Sequence, residues 1–381
     1  MLLDITRLLR RALRGERATG IDRVGLAYLE HWEQGARALV RLGGLWVTPD
    51  ARGSSWLFAA LREAAPASNL RRIVAKALPR HRPVNRGSTL CNASLSGFDN
   101  SAYARAVRQR GLRAFYCLYD LIPLTHPEFC RAGAQDAWRQ RLKVMSASAS
   151  GLIVNTQAVR RDVLAYAGSA GLVLPPVAVV PLGVSPLPLA ASEPPLEQPY
   201  FVTIGTIEAR KNHLLLLHAW RRLCDTRPKD EVPRLVIIGQ RGWECEQVLD
   251  QLDRNPALRG VVMELGTCDD AALSTWLRHA RALLFPSFAE GYGLPLIEAM
   301  TMGTPAIVSD LEAFREIAES VPEFLDPLDG PAWRQAILDY STPHSPRRAA
   351  QLERMRGFRA PTWADHFATV DAALSDWKLL P

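Results

Sequence analysis

The chain has 381 residues, of which 48% are hydrophobic, so it is long enough to form two domains with separate buried cores. No run of 18 apolar residues occurs, so we expect no membrane-spanning helix, and we do not expect the arginine-rich start MLLDITRLLRR to be a signal peptide. The six cysteines are scattered without CxxC pairs, so we expect reduced thiols in a cytoplasmic protein.

The net charge of +7 is unevenly distributed along the chain. Residues 1–190 contain 26 Lys and Arg against 12 Asp and Glu, a balance of +14, whereas the remainder contains 20 against 27, a balance of −7. This asymmetry predicts that the first half meets an anionic partner. No nucleic-acid-binding motif or run of interleaved aromatics accompanies the charge. We therefore expect a membrane surface or an acceptor carried on a lipid diphosphate, rather than nucleic acid.

Two basic amphipathic helices are predicted in the first half. From Ile5, apolar residues recur at helical spacing with four arginines on the opposite side, and the pattern recurs from Leu70 with three arginines and a lysine. Helices of this kind can lie in a bilayer interface, or they can pack on the domain as ordinary surface helices. The sequence leaves both interpretations open.

Short β-branched runs alternate with helical patterns along most of the chain, which predicts a parallel α/β architecture. Residues 185–199 are rich in proline and lack periodicity, so they form the best candidate linker. We therefore predict two doubly wound, Rossmann-like domains. The predicted strands are 2–5, 38–47, 113–119, 151–154 and 177–180 in the first half, and 200–204, 235–238, 261–265, 282–285 and 306–308 in the second.

The strongest functional signal is the string FPSFAEGYGLPLIEAMTMGTPAIVS, residues 285–309. Glu290 and Glu298 stand on either side of a Gly-Tyr-Gly-Leu-Pro turn. Pro295 suits the first turn of a helix, because the N–H that it lacks is not needed there. Backbone amides at such a helix start form an anion site that suits a diphosphate. We assign this binding role to the turn Gly291, Tyr292, Gly293 and Leu294.

This string resembles the glutamate–seven–glutamate motif of the retaining, nucleotide-sugar-dependent glycosyltransferases of family 4, which have the GT-B fold. The resemblance covers nearly the whole chain and is strongest over residues 200–316. It implies two Rossmann-like domains that face each other across a cleft. The expected parts are an acceptor-binding domain over residues 1–188, a nucleotide-sugar-binding domain over 189–355, and a terminal helix within 356–381 that crosses back to the first domain.

The resemblance also assigns donor-site residues. The string GTIEARKN provides the family's glycine, Gly205, and its basic pair, Arg210 and Lys211, which would hold the donor diphosphate. Fixed cations at this place would stabilise the negative charge that grows as a nucleoside diphosphate departs. The resemblance implies that Glu298 accepts hydrogen bonds from ribose hydroxyls. It implies that Glu290 contacts the transferred sugar, either as a nucleophile or as an electrostatic stabiliser.

A second glycine-containing loop, GQRGW, lies beside the nucleotide in relatives and contributes Gly239 and Arg241 here. No Asp-x-Asp motif occurs in the sequence, and the cysteines lack metal-ligand spacing. We therefore expect no metal and no other cofactor. The cations and the helix start would take the place of a metal.

Acceptor-side residues are expected in the first half. Thr19 and Gly20 follow the first predicted strand, where relatives have a glycine-containing loop, although many of them have two adjacent glycines. Asp120 matches the family's histidine–aspartate–leucine segment and could bind acceptor hydroxyls or act as a base. Tyr119 stands where a histidine is frequent, and nearby His126 could substitute for that histidine or be structural.

Together these features predict a retaining, metal-independent hexosyltransferase. It would move a hexose, with GDP-mannose as the favoured donor, to a saccharide or lipid-linked acceptor in cell-surface polysaccharide synthesis. Donors such as UDP-glucose, UDP-galactose or an N-acetylhexosamine nucleotide stay open. So do a non-catalytic GT-B scaffold and a GT-B enzyme of another reaction, such as an epimerase or a glucan synthase. We expect the protein in the cytoplasm, free or at the inner face of the membrane, and the sequence predicts no oligomeric state.

Overall fold

A computed structural model describes residues 1–16, 18–189 and 191–380. The contacts between residues divide the chain into two compact units. Unit 1 comprises Met1–Tyr119, Asp136–Leu182 and Trp363–Pro381, and unit 2 comprises Asp120–Gln135 and Gly183–Thr362. Each unit contains its own sheet and its own apolar core, as expected for α/β domains of this size.

The α-helices, in chain order, are α1 (Thr6–Leu13), α2 (Gly20–Trp32), α3 (Ala51–Arg62), α4 (Ala67–Ala77), α5 (Ala102–Gln109), α6 (Ile122–Thr125), α7 (Ala134–Ser148), α8 (Gln157–Ser169), α9 (His213–Thr226), α10 (Glu246–Arg254), α11 (Asp270–His279), α12 (Leu294–Thr301), α13 (Glu312–Ala318), α14 (Gly330–Ser341), α15 (Pro346–Met355) and α16 (Trp363–Asp376). Short 3-10 turns cover Leu78–Arg80, Pro127–Phe129 and Ala209–Lys211.

The sheet of unit 1 contains β1 (Leu2–Asp4), β2 (Arg37–Leu42), β3 (Leu45–Val47), β4 (Thr89–Asn92), β5 (Arg113–Leu118), β6 (Ala149–Val154) and β7 (Val177–Val179). Their order is β3-β2-β1-β4-β5-β6-β7. The neighbouring strands pair in parallel except for β2 and β3, which are antiparallel. Helical crossovers between the parallel strands place helices against the sheet, which buries strands such as β4 and β5.

One strand prediction in unit 1 was wrong. Residues 38–47 were predicted as a single strand, but β2 ends at Leu42 and β3 begins at Leu45. Gly43 and Gly44 form the turn between them, and Gly43 adopts a φ of +58°, a left-handed conformation that favours glycine. The chain therefore folds back as a hairpin and places β3 at the edge of the sheet.

The sheet of unit 2 contains β8 (Tyr200–Ile204), β9 (Arg234–Ile238), β10 (Val262–Gly266), β11 (Leu283–Phe285), β12 (Ala306–Ser309) and β13 (Glu323–Leu325). All of its pairs are parallel, in the order β10-β9-β8-β11-β12-β13. The winding direction reverses between β8 and β11. In open α/β sheets, ligands bind at the carboxyl ends of strands beside such a reversal.

The core of unit 2 contains two large buried indoles. Trp220 of α9 and Trp333 of α14 are both fully buried among apolar side chains of the sheet and of these helices. Each indole N–H donates to a backbone carbonyl, Trp220 to Pro233 at 2.7 Å and Trp333 to Asp326 at 2.9 Å. Because the polar atom of each ring is satisfied, burial of the ring stabilises the fold without an unpaired donor.

Helix α16 packs within unit 1. The ring of Phe367 lies 5.1 Å from that of Tyr28 in α2. His366 Nδ1 is 2.8 Å from the Pro181 carbonyl, and its Nε2 is 3.1 Å from the Tyr28 hydroxyl. A carbonyl can only accept, so Nδ1 carries the proton and Nε2 accepts from Tyr28. Burial lowers the pKa of His366 to about 4, which keeps this ring neutral at neutral pH.

Candidate active site

Two loops of unit 2 meet where the winding direction of the sheet reverses. The loop after β8 contains Glu208 and the 3-10 turn Ala209–Lys211, and the loop after β11 runs on to Glu290. The backbone N–H of Phe288 in the second loop donates to the Arg210 carbonyl in the first at 2.8 Å. Both predicted cations and the first glutamate of the motif therefore lie close together, in the loops that follow the adjacent parallel strands β8 and β11.

Gly205 and Gly239 allow the loops after β8 and β9 to approach closely. The Gly205 N–H donates to the Ile238 carbonyl at 3.0 Å, and Gly205 has a φ of +138°. A Cβ added to Gly239 would overlap the carbonyl oxygen of Gly205. Both positions therefore require glycine for the backbone itself.

Glu290 lies between the two predicted cations. Its Oε1 is 2.5 Å from Lys211 Nζ, and its Oε2 is 2.8 Å from Arg210 Nη1. The Ser287 hydroxyl donates to Oε1 at 2.8 Å. Burial alone would raise the pKa of Glu290, but Arg210 and Lys211 more than offset burial and hold the pKa at about 2. This carboxylate is therefore ionised at neutral pH.

Arg210 contacts a second carboxylate that the sequence analysis did not identify. Its Nε lies 2.6 Å from Oε1 of Glu208, and its Nη1 also donates to the Ala289 carbonyl at 3.1 Å. Burial raises the pKa of Glu208, although Arg210 and Lys211 oppose the shift. The two adjacent basic residues in GTIEARKN were a signal for such an ion pair. The spacing alone did not show which of the two cations Glu208 would contact.

Lys211 is buried and lies over an aromatic ring. Its Nζ is 4.6 Å from the centroid of the Phe285 ring, at the end of β11. A cation over a ring face is attracted by the electron density of the ring, and Glu290 supplies the matching negative charge. His213, the first residue of α9, follows directly and is buried as well. Burial and the charge of Lys211 lower the pKa of His213 to about 3, so its ring is neutral.

The turn before α12 has the predicted helix-start geometry. Gly293 occupies the position before the first helical residue with a φ of +115°, and Pro295 lies in the first turn. A Cβ on Gly293 would lie 2.7 Å from the Phe314 ring, so only glycine suits this position. Gly291 and Tyr292 are buried before it. Glu298 lies inside α12 and is 8% exposed.

Asp120 and His126 lie in the segment Asp120–Gln135, which belongs to unit 2 although the prediction assigned it to the first domain. Burial raises the pKa of Asp120; the positive charges of Arg210 and Lys211 oppose this shift, and the negative charge of Glu290 adds to it. Asp120 is therefore part of the same electrostatic cluster. His126 Nδ1 is 2.9 Å from the Thr125 hydroxyl, a contact inside its own segment.

Aromatic contacts hold this segment in unit 2. The Phe129 ring stacks on Phe288 with centroids 5.0 Å apart, and the Arg131 guanidinium lies 4.3 Å from the centroid of the Trp243 ring. Phe288 precedes Glu290 by two residues, and Trp243 follows β9. The segment is therefore tied to two loops at the carboxyl edge of the sheet, a placement that periodicity could not predict.

Arg241 has protein partners for its guanidinium. It donates to both oxygens of Asp253 and to both oxygens of Glu264, at 2.6 to 2.9 Å. These contacts join the loop after β9 to α10 and β10 in unit 2. The side chain predicted to contact the nucleotide is thus engaged in a surface ion-pair network.

Thr19, Gly20 and Tyr119 lie in unit 1. Thr19 is the N-cap of α2, and its hydroxyl lies 2.7 Å from Oδ2 of Asp22 in a capping box. Gly20 is the first residue of α2. Tyr119, which replaces the family's histidine, is buried and donates its hydroxyl to the Ala93 carbonyl at 2.5 Å. Its phenol is thus directed into unit 1.

In the three described stretches of the chain, no group of three or more His, Cys, Asp or Glu side chains is arranged to hold a metal ion.

The two sheets, with their largely parallel strands and helical crossovers, are typical of the GT-B fold. The chain superposes on HepE from Anabaena, solved in complex with UDP-glucose, with a TM-score of 0.68 at 14% identity. The match covers 98% of this chain and 99% of that one. Sucrose-phosphate synthase from Thermosynechococcus elongatus gives a TM-score of 0.66 at 16% identity over 100% and 99% of the two chains. The predicted GT-B fold is therefore confirmed.

Residues 189–321 match the model of the family described as glycosyl transferases group 1. The chain is 31% identical over 230 residues to the serotype-specific mannosyltransferase WbdA of Escherichia coli, covering 56% of this chain and 28% of the relative. It is 45% identical over 138 residues to the O-antigen chain mannosyltransferase RfbU of Salmonella typhimurium, covering 36% and 37%. The chain thus spans well under half the length of these curated relatives. The family resemblance seen in the sequence is confirmed.

Proposed function

We propose that this protein is a retaining hexosyltransferase that transfers mannose from GDP-mannose to a saccharide or lipid-linked acceptor in cell-surface polysaccharide synthesis. The mannosyltransferase names of WbdA and RfbU support the choice of sugar. The single observation that carries the proposal is the ionised Glu290 between Arg210 and Lys211 at the reversal point of the sheet. This arrangement supplies both charges that transfer of a glycosyl group from a diphosphate requires.

The cations would act on the leaving group. The donor diphosphate would lie against Arg210, Lys211 and the backbone at the start of α12, where the helix dipole favours negative charge. As the bond from the anomeric carbon to the phosphate oxygen breaks, negative charge grows on the diphosphate. Fixed positive groups stabilise this charge more in the transition state than in the ground state. A metal ion would not be required.

Glu290 would act on the sugar. An ionised carboxylate beside the anomeric carbon stabilises the positive charge that develops there. In the route that we propose, the acceptor oxygen attacks from the face that the diphosphate leaves, and the acceptor's proton passes to the departing phosphate oxygen. The new glycosidic bond then keeps the configuration of the donor. Glu298 would hold the ribose, and Asp120 would bind acceptor hydroxyls.

Thermal shift and turnover with a panel of nucleotide sugars test this function. We expect GDP and GDP-mannose to raise the melting temperature, and GDP-mannose to be consumed when a suitable acceptor is present. Stabilisation by UDP without stabilisation by GDP would contradict the choice of donor. NMR analysis of the product tests retention, because the proposed route gives the anomeric configuration of the donor and an inverting route gives the opposite one.

We also propose that unit 1 binds anionic membrane surfaces through α4. On this helix Arg71, Arg72 and Lys76 are exposed, and the apolar Ile73 and Val74 are only half-buried. Basic residues beside partly exposed apolar ones favour an anionic bilayer interface. Among the residues that the structure describes, no helix combines the length and the apolar character needed to span a bilayer.

The basic helix α1 is less suited to this role. Its apolar residues Leu8 and Leu9 are buried, and Arg7 and Arg11 each place Nε 2.9 Å from a carboxylate oxygen of Asp22. Asp22 of unit 1 therefore neutralises part of the charge on the basic side that the sequence predicted for α1.

Vesicle sedimentation tests the membrane proposal. The double variant Arg71→Glu, Arg72→Glu should lose binding to vesicles that contain phosphatidylglycerol. The double variant Arg222→Glu, Arg227→Glu changes the charge equally on exposed positions of unit 2 and should retain binding. Equal binding by the two variants, or wild-type binding to neutral vesicles as strong as to anionic ones, would contradict the role of α4.

A further inference from the structure

Arg210 is fixed from two directions by buried carboxylates. Its Nε lies 2.6 Å from Oε1 of Glu208, and its Nη1 lies 2.8 Å from Oε2 of Glu290. Nη1 also donates to the Ala289 carbonyl at 3.1 Å. A guanidinium group is planar with its donors in a fixed fork, so a partner at Nε determines where the Nη groups point.

The carboxylates of Glu208 and Glu290 lie in different loops. Glu290 follows β11 and is the carboxylate that we place beside the transferred sugar. Glu208 lies within the loop after β8, and its backbone carbonyl accepts from the Lys211 N–H at 3.0 Å, which closes the turn that carries both cations. Glu208 is only 4% exposed, and its carboxylate contacts Arg210.

A contribution to the stability of the fold does not explain why Glu208 is buried. Removing two charges from water costs free energy that their attraction often fails to recover, so a buried ion pair is weak evidence for a stabilising role. A carboxylate in this position does restrict the orientation of the guanidinium. Placement of a catalytic cation within a fraction of an ångström is a function that such a costly contact can serve.

We propose that Glu208 is a positioning residue of the donor site, which fixes Arg210 through Nε so that Nη2 is presented to the donor diphosphate. The inference rests on the proposed function and assigns a role within it. An incoming diphosphate would compete with Glu290 for the Nη edge of Arg210. It would not compete with Glu208, which holds the Nε edge. The orientation of Arg210 would therefore persist through binding and departure of the nucleotide.

Two variants distinguish the effect of side-chain length at position 208 from the effect of its charge. Glu208→Gln keeps an acceptor oxygen at the same distance from the backbone but removes the charge. Glu208→Asp keeps the charge but is one methylene shorter and cannot reach Nε in the same geometry. The readout is the dissociation constant of a nucleoside monophosphate divided by that of the matching nucleoside diphosphate. Both constants are measured by calorimetry. Local damage to the fold would weaken both ligands alike and leave this ratio unchanged.

We expect Glu208→Gln to retain the wild-type ratio within a few-fold, and Glu208→Asp to lower it about tenfold, as for one weakened hydrogen bond between charged groups. The turnover number should fall in Glu208→Asp, while the KM for the acceptor stays unchanged. The matched variants Glu246→Gln and Glu246→Asp, at an exposed position in the first turn of α10, should leave the ratio unchanged.

Three results would overturn the positioning role. The ratio could be unchanged in Glu208→Asp, or it could fall equally in Glu208→Gln and Glu208→Asp. It could also fall as far in the Glu246 variants as in Glu208→Asp. Failure of the proposed function looks different, because the wild-type protein would then bind no nucleoside diphosphate.

Discussion

Lys211 and Glu290, 79 residues apart in the sequence, form a buried ion pair with Nζ 2.5 Å from Oε1. The pair joins the loops that follow β8 and β11, the two central strands of unit 2, and it brings a predicted phosphate-binding cation to the first glutamate of the motif. Arg210 contacts the other oxygen of the same carboxylate at 2.8 Å. Substitution of either partner should therefore affect both charge balance and chemistry.

Lys211→Ala should abolish transfer, because it removes one of the cations that would stabilise the departing diphosphate. The free energy of unfolding should fall by about 3 kcal/mol, at the low end for a broken buried pair, because Arg210 still neutralises Glu290. Turnover assays and denaturant titration measure the two effects. Lys229→Ala, at an exposed lysine of the same unit, should change neither. Full activity in Lys211→Ala would refute the role of this cation.

Glu290→Gln should abolish transfer while leaving nucleotide binding intact. The amide cannot stabilise a positive anomeric carbon, yet Arg210 and Lys211 remain, and they no longer share their charge with a carboxylate. We expect the dissociation constant for a nucleoside diphosphate to be equal to or lower than that of the wild type, measured by calorimetry. A loss of binding that parallels the loss of turnover would show that Glu290 organises the site rather than acting on the sugar.

Mild acid should weaken the docking of α16 within unit 1. The pKa of His366 is about 4 in the folded protein against an ordinary value of 6.5, so the folded protein holds this ring neutral where the unfolded chain would protonate it. The stability that this provides is fully present above pH 6.5 and is lost as the pH falls through the interval from 6.5 to 4.

His366→Gln should therefore flatten the dependence of unfolding free energy on pH over that interval. Denaturant titration at several pH values measures it. His344→Gln removes an exposed histidine and serves as the matched control, which should retain the wild-type slope. A slope in His366→Gln equal to that of the wild type would contradict this assignment.

Gly151→Ala should also disturb the terminal segment. Gly151 lies in β6, and a Cβ at this position would overlap the indole ring of Trp377, just beyond α16. We expect a loss of about 1–3 kcal/mol in the free energy of unfolding, as for other overpacked sites. Trp377→Ala in the same background should recover part of the loss, because it removes the obstructing ring. An additive loss in the double variant would argue against direct contact as the cause.

The regular parts of the fold could be predicted from the sequence because their periodicity is local. The β-branched runs that precede Gly205 and Gly239 each end where a strand ends in the structure, and the glycines mark the start of the loops. Two short strands, β4 and β13, were missed, although other strands of three or four residues, such as β1 and β11, were predicted. The Gly43–Gly44 pair was a turn signal that the prediction did not use.

The candidate site was predicted less completely than the fold, because its contacts join distant segments. Arg210, Lys211 and Glu290 were identified from motifs, and the structure brings them together. Glu208 was missed because a charged residue in a loop gives no sign of burial until its partner is placed. The contact of Arg241 with the nucleotide stays a prediction. Its carboxylate partners come from α10 and β10, which sequence spacing could not bring together.

A structure of the protein with a bound nucleoside diphosphate tests the central claim most directly. The account predicts diphosphate oxygens within about 3 Å of Arg210 Nη2 and of Lys211 Nζ, at the carboxyl ends of β8 and β11. A diphosphate bound elsewhere, or one that leaves both cations without a phosphate contact, would contradict the account.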